Sequence, residues 1–435
     1  MQSSEIAPAR CKPRKKISET HISRAGRRKT SAVALAFIIF SEPTLLTANH
    51  GLLPAAIVLV FGGLLLTGIP MARVSWWALA PTLFLGIVGV SVAWSILPDE
   101  SSVGALATLC VLLTSILVAA KVEIHELVQG VIAGVLVVFF LSILMVLIRP
   151  DLGLVAETYK YGSLRGIYEH RNQMGYTLTI GVVALLSSSQ AWTPRKRVSS
   201  LAVLLVLVMG VAWSASSTAI AMCAFGFVLV LALRSIPRSA KRLRPLVVTY
   251  YALVAGFGLW LVINQFGEAT SLLGRDETLT GRTTIWPYVL EAWTHSPWLG
   301  FGWDATWTDA SYVGNWISNQ INYRVYHAHD SYLDVLIQLG IVGLTTLILC
   351  IAVALSRGGA WLNMMFRGLL DVDAVFPSAI ICVLAIYSIV ETRISHPLGL
   401  FLLFYIVIIA NPSDHSSRRP FLDEPATAMH PPIAG

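Results

Sequence analysis

Three segments gather residues able to do chemistry, each beside an apolar run. The first is Arg165-Gly166-Ile167-Tyr168-Glu169-His170-Arg171-Asn172-Gln173-Met174-Gly175. The second is Gly281-Arg282-Thr283-Thr284-Ile285-Trp286, with Pro297-Trp298-Leu299-Gly300-Phe301-Gly302 downstream. The third is His327-Ala328-His329-Asp330-Ser331-Tyr332-Leu333-Asp334, which runs on to Gly340-Ile341-Val342-Gly343. Asp330 or Ser331 suits the N-cap of a helix, and Asp334 suits its first turn. His329 then stands at the positive end of that helix, which disfavours imidazolium and keeps the ring ready to accept a proton. Arg282 precedes a short helical pattern over 283–293, so its guanidinium joins a helix N-terminus, where phosphate binds readily. Arg165 supplies a second fork on the neighbouring loop. Together these groups suit a pyrophosphate leaving group beside an activated hydroxyl.

Each residue also has a plainer reading. An arginine at a membrane boundary commonly snorkels to headgroups, and His170 and Arg171 fit either headgroup binding or loop orientation. His327-x-His329 has no third ligand at a recognisable spacing, so no metal and no cofactor is expected. Arg324 and Arg393 are expected as supporting cations. Six of the thirteen tryptophans (286, 293, 298, 303, 307 and 316) fall between residues 264 and 331. They fit an interfacial aromatic belt or platforms on which sugar rings stack. In the second case Trp286 and Trp303 join Arg324, His327 and Asn172 as expected substrate contacts.

The elements that must hold these residues are membrane spans. Of 435 residues, 55% are hydrophobic and 13% charged, about half the charge of a soluble globular chain. The apolar runs are continuous rather than alternating, which excludes an outer-membrane barrel. They fall at 31–48, 51–69, 75–97, 102–120, 126–148, 173–191, 198–213, 217–234, 245–263, 332–355, 376–391 and 397–411. The expected fold is an all-α integral membrane protein of about twelve helices. Residues 1–30 carry nine Lys/Arg against Glu5 and Glu19, so this tail holds the whole net charge of +7. The basic balance therefore implies no nucleic acid, but a cytoplasmic tail facing anionic lipid. With that tail inside, the inner loops and C-terminal segment hold fourteen Lys/Arg and the outer loops eight, as the positive-inside rule requires. The resulting division is a tail (1–30), nine spans (31–263) with an outer loop at 149–172, a large extracytoplasmic loop (264–331), three spans (332–411) and a second cytoplasmic tail (412–435).

The three segments, in this order and within this frame, resemble the O-antigen ligase and O-antigen/exopolysaccharide polymerase superfamily of bacterial membrane glycosyltransferases. Arg165-Gly166…Asn172-Gln173-Met174-Gly175 is similar to the family's Arg-x-Gly…Asn-x-x-Gly entry to a span. Gly281-Arg282-x-x-x-Trp286 with Pro297-x-x-Gly300-x-Gly302 matches a second pattern. His329-Asp330, nine residues and Gly340-x-x-Gly343 match a third, with Asp330 where an amide or hydroxyl is usual. The resemblance implies a GT-C-like fold in the bacterial inner membrane and an undecaprenyl-pyrophosphate-linked glycan as donor. Its site would face the periplasm, with Arg165 and Arg282 on the pyrophosphate and His329 activating the acceptor hydroxyl. Transfer would be metal-independent and would invert the anomeric carbon. The expected activity is a polymerase adding one lipid-linked repeat unit to another, with delivery to lipid A-core by a ligase as the alternative. Other expected partners are membrane lipids and a chain-length regulator or other assembly proteins. A transporter or flippase would place ionisable groups near mid-span, where this chain has almost none.

Overall fold

A computed structural model describes residues 75–156, 161–189, 191–236 and 280–409, with isolated positions from 239 to 256. The runs at 31–48 and 51–69, both tails, most of 245–263 and the start of the large loop lie outside the described residues. Among those described, the secondary structure is helical, apart from isolated bridge residues such as the Leu154–Leu164 pair.

The helices are α1 (Leu79–Val90), α2 (Pro98–Lys121), α3 (Ile124–Ile148), α4 (Arg171–Ser187), α5 (Arg197–Trp213) and α6 (Ser217–Ser235), then α7 (Thr280–Trp293), α8 (Tyr312–Gln320), α9 (Ser331–Phe366), α10 (Val375–Tyr387) and α11 (Pro397–Ile408). Among the described residues, five stretches are long and apolar enough to cross a membrane: Trp76–Ala93, Pro98–Ala120, Ile124–Ile148, Ser217–Ser235 and Ser331–Phe366. The chain is thus a multi-pass helical membrane protein. Large apolar side chains such as Phe140, Leu147, Leu201, Leu205 and Met209 are exposed on its flanks. In lipid this is no liability, because acyl chains are as apolar as leucine.

Local sequence explains most helix starts. Pro98 opens α2 with Asp99 and Glu100 in the first turn, where proline lacks only an orphan donor and carboxylates meet the positive helix end. Glu123 and Glu126 form a capping box on α3, and His170 with Gln173 forms another on α4. Every residue of α4 from Asn172 to Ser187 is buried. It packs against α3, α5, α6 and α10, while α9 packs on α1 and α10 and α11 lies against α2.

The glycine motifs are explained by one junction. Gly340 (φ +65°, ψ −165°) breaks the ladder of α9, and the 297–302 loop fills the break. Phe301 and Gly302 N–H donate to the carbonyls of Ile337 and Gln338 at 3.1 and 2.8 Å, and Ile341 N–H donates to Pro297 O at 2.9 Å. A Cβ on Gly340 would lie 2.2 Å from the Trp298 carbonyl, and one on Gly300 (φ +65°) 2.4 Å from the Gln338 carbonyl carbon. Only glycine permits both the left-handed backbone and this approach. Motifs some forty residues apart in sequence are thus two halves of one contact.

Residues 280–330 carry α7 and α8 around a separate apolar cluster. Ile285, Val289 and Ala292 meet Phe301, Val313, Ile317, Val325 and Ala328. The expected helix at 283–293 begins three residues earlier, at Thr280, so Pro287 stands inside it rather than in its first turn. The buried face is Ile285, Val289 and Ala292, and Leu290 points outward. The cause is that α8 and the 301–328 segment, invisible to a period count, decide which face is covered.

Candidate functional site

Chain direction brings the starts of α4, α6, α9 and α11 to one end of the bundle, and the start of α7 lies over them. There the 388–396 connection between α10 and α11 delivers Glu391, whose carboxylate is the hub of the site. Its Oε1 accepts from Asn172 Nδ2 at 2.9 Å and Arg282 Nη2 at 2.9 Å, and lies 3.1 Å from His329 Nδ1. Its Oε2 accepts from Arg393 Nη2 at 3.0 Å. Burial alone would push this carboxyl up. The hydrogen bond from His329 and the charges of Arg393 and Arg282 outweigh that and hold Glu391 well below the usual glutamate range. Two guanidiniums thus surround one carboxylate, and the group keeps a positive excess.

His329 sits at φ +55°, a left-handed conformation that is costly for a non-glycine residue. Neighbouring bonds fix it there. Its N–H donates to His327 Nδ1 at 3.1 Å, and the two rings lie 3.9 Å apart. The Ala328 N–H donates to Asp334 Oδ1 at 2.8 Å, and Trp286 Nε1 donates to the Ala328 carbonyl at 2.9 Å. Asp334 Oδ2 also accepts from the Thr392 hydroxyl, which ties the histidine turn to the Glu391 connection. Ser331 Oγ accepts the Arg393 N–H at 2.7 Å. The His329 side chain remains 31% exposed while Glu391 is 1% exposed. A ring whose Nδ1–H faces a carboxylate presents Nε2 as the proton acceptor.

Arg282 and Trp286 are four residues apart on one face of α7, which explains their spacing: one reaches Glu391, the other braces the histidine turn. Both Arg282 terminal nitrogens also lie 3.4 Å from Thr218 Oγ1. Asp330 caps α9 as expected. Its Oδ1 accepts from Tyr332 and Leu333 N–H at 2.7 and 3.0 Å. Burial pushes its carboxyl up, and those two hydrogen bonds oppose the shift only in part.

Of the expected residues, the structure joins His329, Arg282 and Asn172 through Glu391, with His327 and Trp286 against the same turn. Arg165 takes other partners: its Nε and Nη2 donate to the carbonyls of Leu152 and Asp151 at 2.7 and 3.1 Å. Both of these acceptors are neutral backbone carbonyls. Arg324 pairs with Asp309 at 2.9 Å, bonds Asn315 and lies over the Tyr326 ring. Trp303 is buried edge-on to Phe84 with centroids 5.7 Å apart. Sequence reasoning missed Glu391, Thr218, Thr392 and the tethering role of Asp334. The signal available for the first was Glu391-Thr392-Arg393, a charged pair isolated between two apolar runs.

Fold and site together define a multi-pass membrane protein with a carboxylate-buttressed histidine and an arginine cluster at one end of its helices. Residues 201–348 match the family model described as O-antigen ligase, a stretch that includes Arg282, Trp286, His329 and the Gly300–Gly340 junction. The chain is also 25% identical over 348 residues to the exopolysaccharide production protein ExoQ of Rhizobium meliloti strain 1021, covering 76% of this chain and 75% of that protein. Both similarities support the O-antigen ligase and polymerase superfamily and a ligase- or polymerase-type function.

Proposed function

We propose that the protein is a polymerase of a bacterial exopolysaccharide or other surface polysaccharide, moving an undecaprenyl-pyrophosphate-linked glycan onto the acceptor hydroxyl of a second lipid-linked repeat unit. It works in the inner membrane with its site on the periplasmic side. The observation that carries the reading is the His329–Glu391 pair held beside Arg282. His329 Nε2 takes the proton of the acceptor hydroxyl while that oxygen attacks the anomeric carbon. The glycosidic bond to phosphate breaks on the opposite face, so the configuration inverts. Glu391 stabilises the imidazolium that forms, as a buried carboxylate does in other acid–base dyads. Arg282 retains donors beyond those it gives to Glu391, and with Arg165 it takes the charge of the departing pyrophosphate.

The match to an O-antigen ligase model favours a second reading, in which the same centre delivers the glycan to lipid A-core or another acceptor. The glycan length distribution of a deletion strain separates the two. A polymerase predicts single repeat units on the final carrier and loss of long chains, restored by the wild-type gene and not by His329→Ala. Long chains that accumulate on the lipid carrier in the deletion strain contradict the polymerase and fit the ligase.

A further inference from the structure

The far end of α7 holds a feature that the transfer chemistry does not use. A cavity of about 460 Å³ is lined by Ala292 in the last turn of α7, His295 just beyond it, Phe301 of the bridging loop, and Tyr312, Val313 and Trp316 of α8. Volumes of this size with aromatic walls and a few polar groups are typical of sites for small organic ligands. Trp316 is held edge-on by Tyr288 at 6.2 Å, and Phe301 meets Tyr312 edge-on at 6.5 Å. Paired aromatic rings thus form much of the cavity wall. Tyr312 is 65% exposed, so its ring and hydroxyl are accessible to a ligand entering from outside. The same apolar cluster includes Trp307, whose buried indole N–H has no hydrogen-bond partner among the described residues; nor has the neighbouring Thr308 hydroxyl.

We propose that this cavity is a saccharide subsite that grips the glycan at a distance from the bond being made. Flat C–H faces of a pyranose suit Phe301, Tyr312 and Trp316, and its hydroxyls suit the His295 imidazole and the Tyr312 hydroxyl at the rim. An acyl chain would leave those polar groups unused. The ten residues from Arg282 to Ala292 span about 15 Å of helix, the reach of a short oligosaccharide. A glycan whose pyrophosphate lies at Arg282 can thus set a later sugar in the cavity, and a repeat unit of the wrong shape would not seat there. This assignment rests on the transfer reading for its ligand class.

Its test needs no transfer. The full-length protein in nanodiscs is probed by saturation-transfer NMR with the oligosaccharide released by mild acid from the host's own lipid-linked repeat units. The wild type is expected to bind it, and Tyr312→Ala and His295→Ala to weaken binding about tenfold, the loss of one aromatic or hydrogen-bonding contact. Tyr161→Ala, an exposed aromatic outside this unit, should bind as the wild type does. No wild-type binding, equal binding by the Tyr312→Ala/His295→Ala pair, or cross-linking of Trp316 by a photoactivatable fatty acid instead would overturn the subsite. Full transfer by His329→Ala would overturn the catalytic reading and leave the subsite standing.

Discussion

Glu391→Gln isolates the role of the buried carboxylate. The amide is nearly isosteric, so the fold around Asn172, Arg282 and Arg393 is kept while one negative charge is lost. The two guanidiniums then lose the carboxylate they share, and the 3.1 Å contact to His329 Nδ1 is offered an amide in place of a carboxylate. An imidazolium formed in the transition state loses its partner, and the ring is no longer held in the tautomer that presents Nε2. General-base assistance is worth roughly 10²–10⁴ in rate, and most of it should disappear. The assay is turnover of lipid-linked repeat units in membranes with protein amounts matched by immunoblot. The expected outcome is a fall of at least 10²-fold at near-normal expression. Glu391→Ala should fare worse, because breaking a buried ion pair costs about 3–5 kcal/mol, and it should be visibly depleted from the membrane. Turnover by Glu391→Gln within about threefold of the wild type would refute the idea that the carboxylate works through His329.

Arg282→Ala should abolish transfer with insertion intact, and Arg282→Lys should recover only part of it, since a point charge cannot reproduce the fork that meets Glu391 and phosphate; Arg165→Ala should also lose transfer, and full activity in either alanine variant removes that residue from the anion site. Asp330→Asn keeps the cap and should stay active. Because burial raises the Asp330 carboxyl, the fold favours its protonated form, and wild-type stability falls relative to Asp330→Asn as pH rises through the carboxylate range. Thermal melting of both proteins in detergent at pH 4 and 7 reads this gap, which should be larger at pH 7. Gly340→Ala combines a left-handed backbone with a Cβ 2.2 Å from the Trp298 carbonyl, so it should destabilise by at least about 1–3 kcal/mol; an unchanged melting temperature would show that the junction yields freely.

Much of this was legible because membrane proteins concentrate their polar residues where they matter. His329-Asp330 at a helix start, Arg282 four residues before Trp286 and the paired glycines are local patterns, and local physics reads them. The pairing of Gly300 with Gly340 was not legible, since each motif only shows that a tight backbone is wanted somewhere. Glu391 escaped for a related reason. A single carboxylate between two spans looks like a headgroup contact until the chain reversal of α10 and α11 sets it among Asn172, Arg282 and His329. Arg165 illustrates the opposite limit. Its motif marked it for the anion site, and only the structure shows that the carbonyls of Asp151 and Leu152 accept its hydrogen bonds. The helical pattern over 283–293 placed α7, and packing against α8 decides which of its faces is buried.

The central claim is that His329 takes the proton of an acceptor hydroxyl. It is tested most directly by purified protein in liposomes with a defined undecaprenyl-pyrophosphate-linked repeat unit, following both chain growth and release of the pyrophosphate lipid. His329→Ala should lose at least about 10²-fold in the rate of both, with His327→Ala less affected. Unimpaired elongation by His329→Ala would contradict the account.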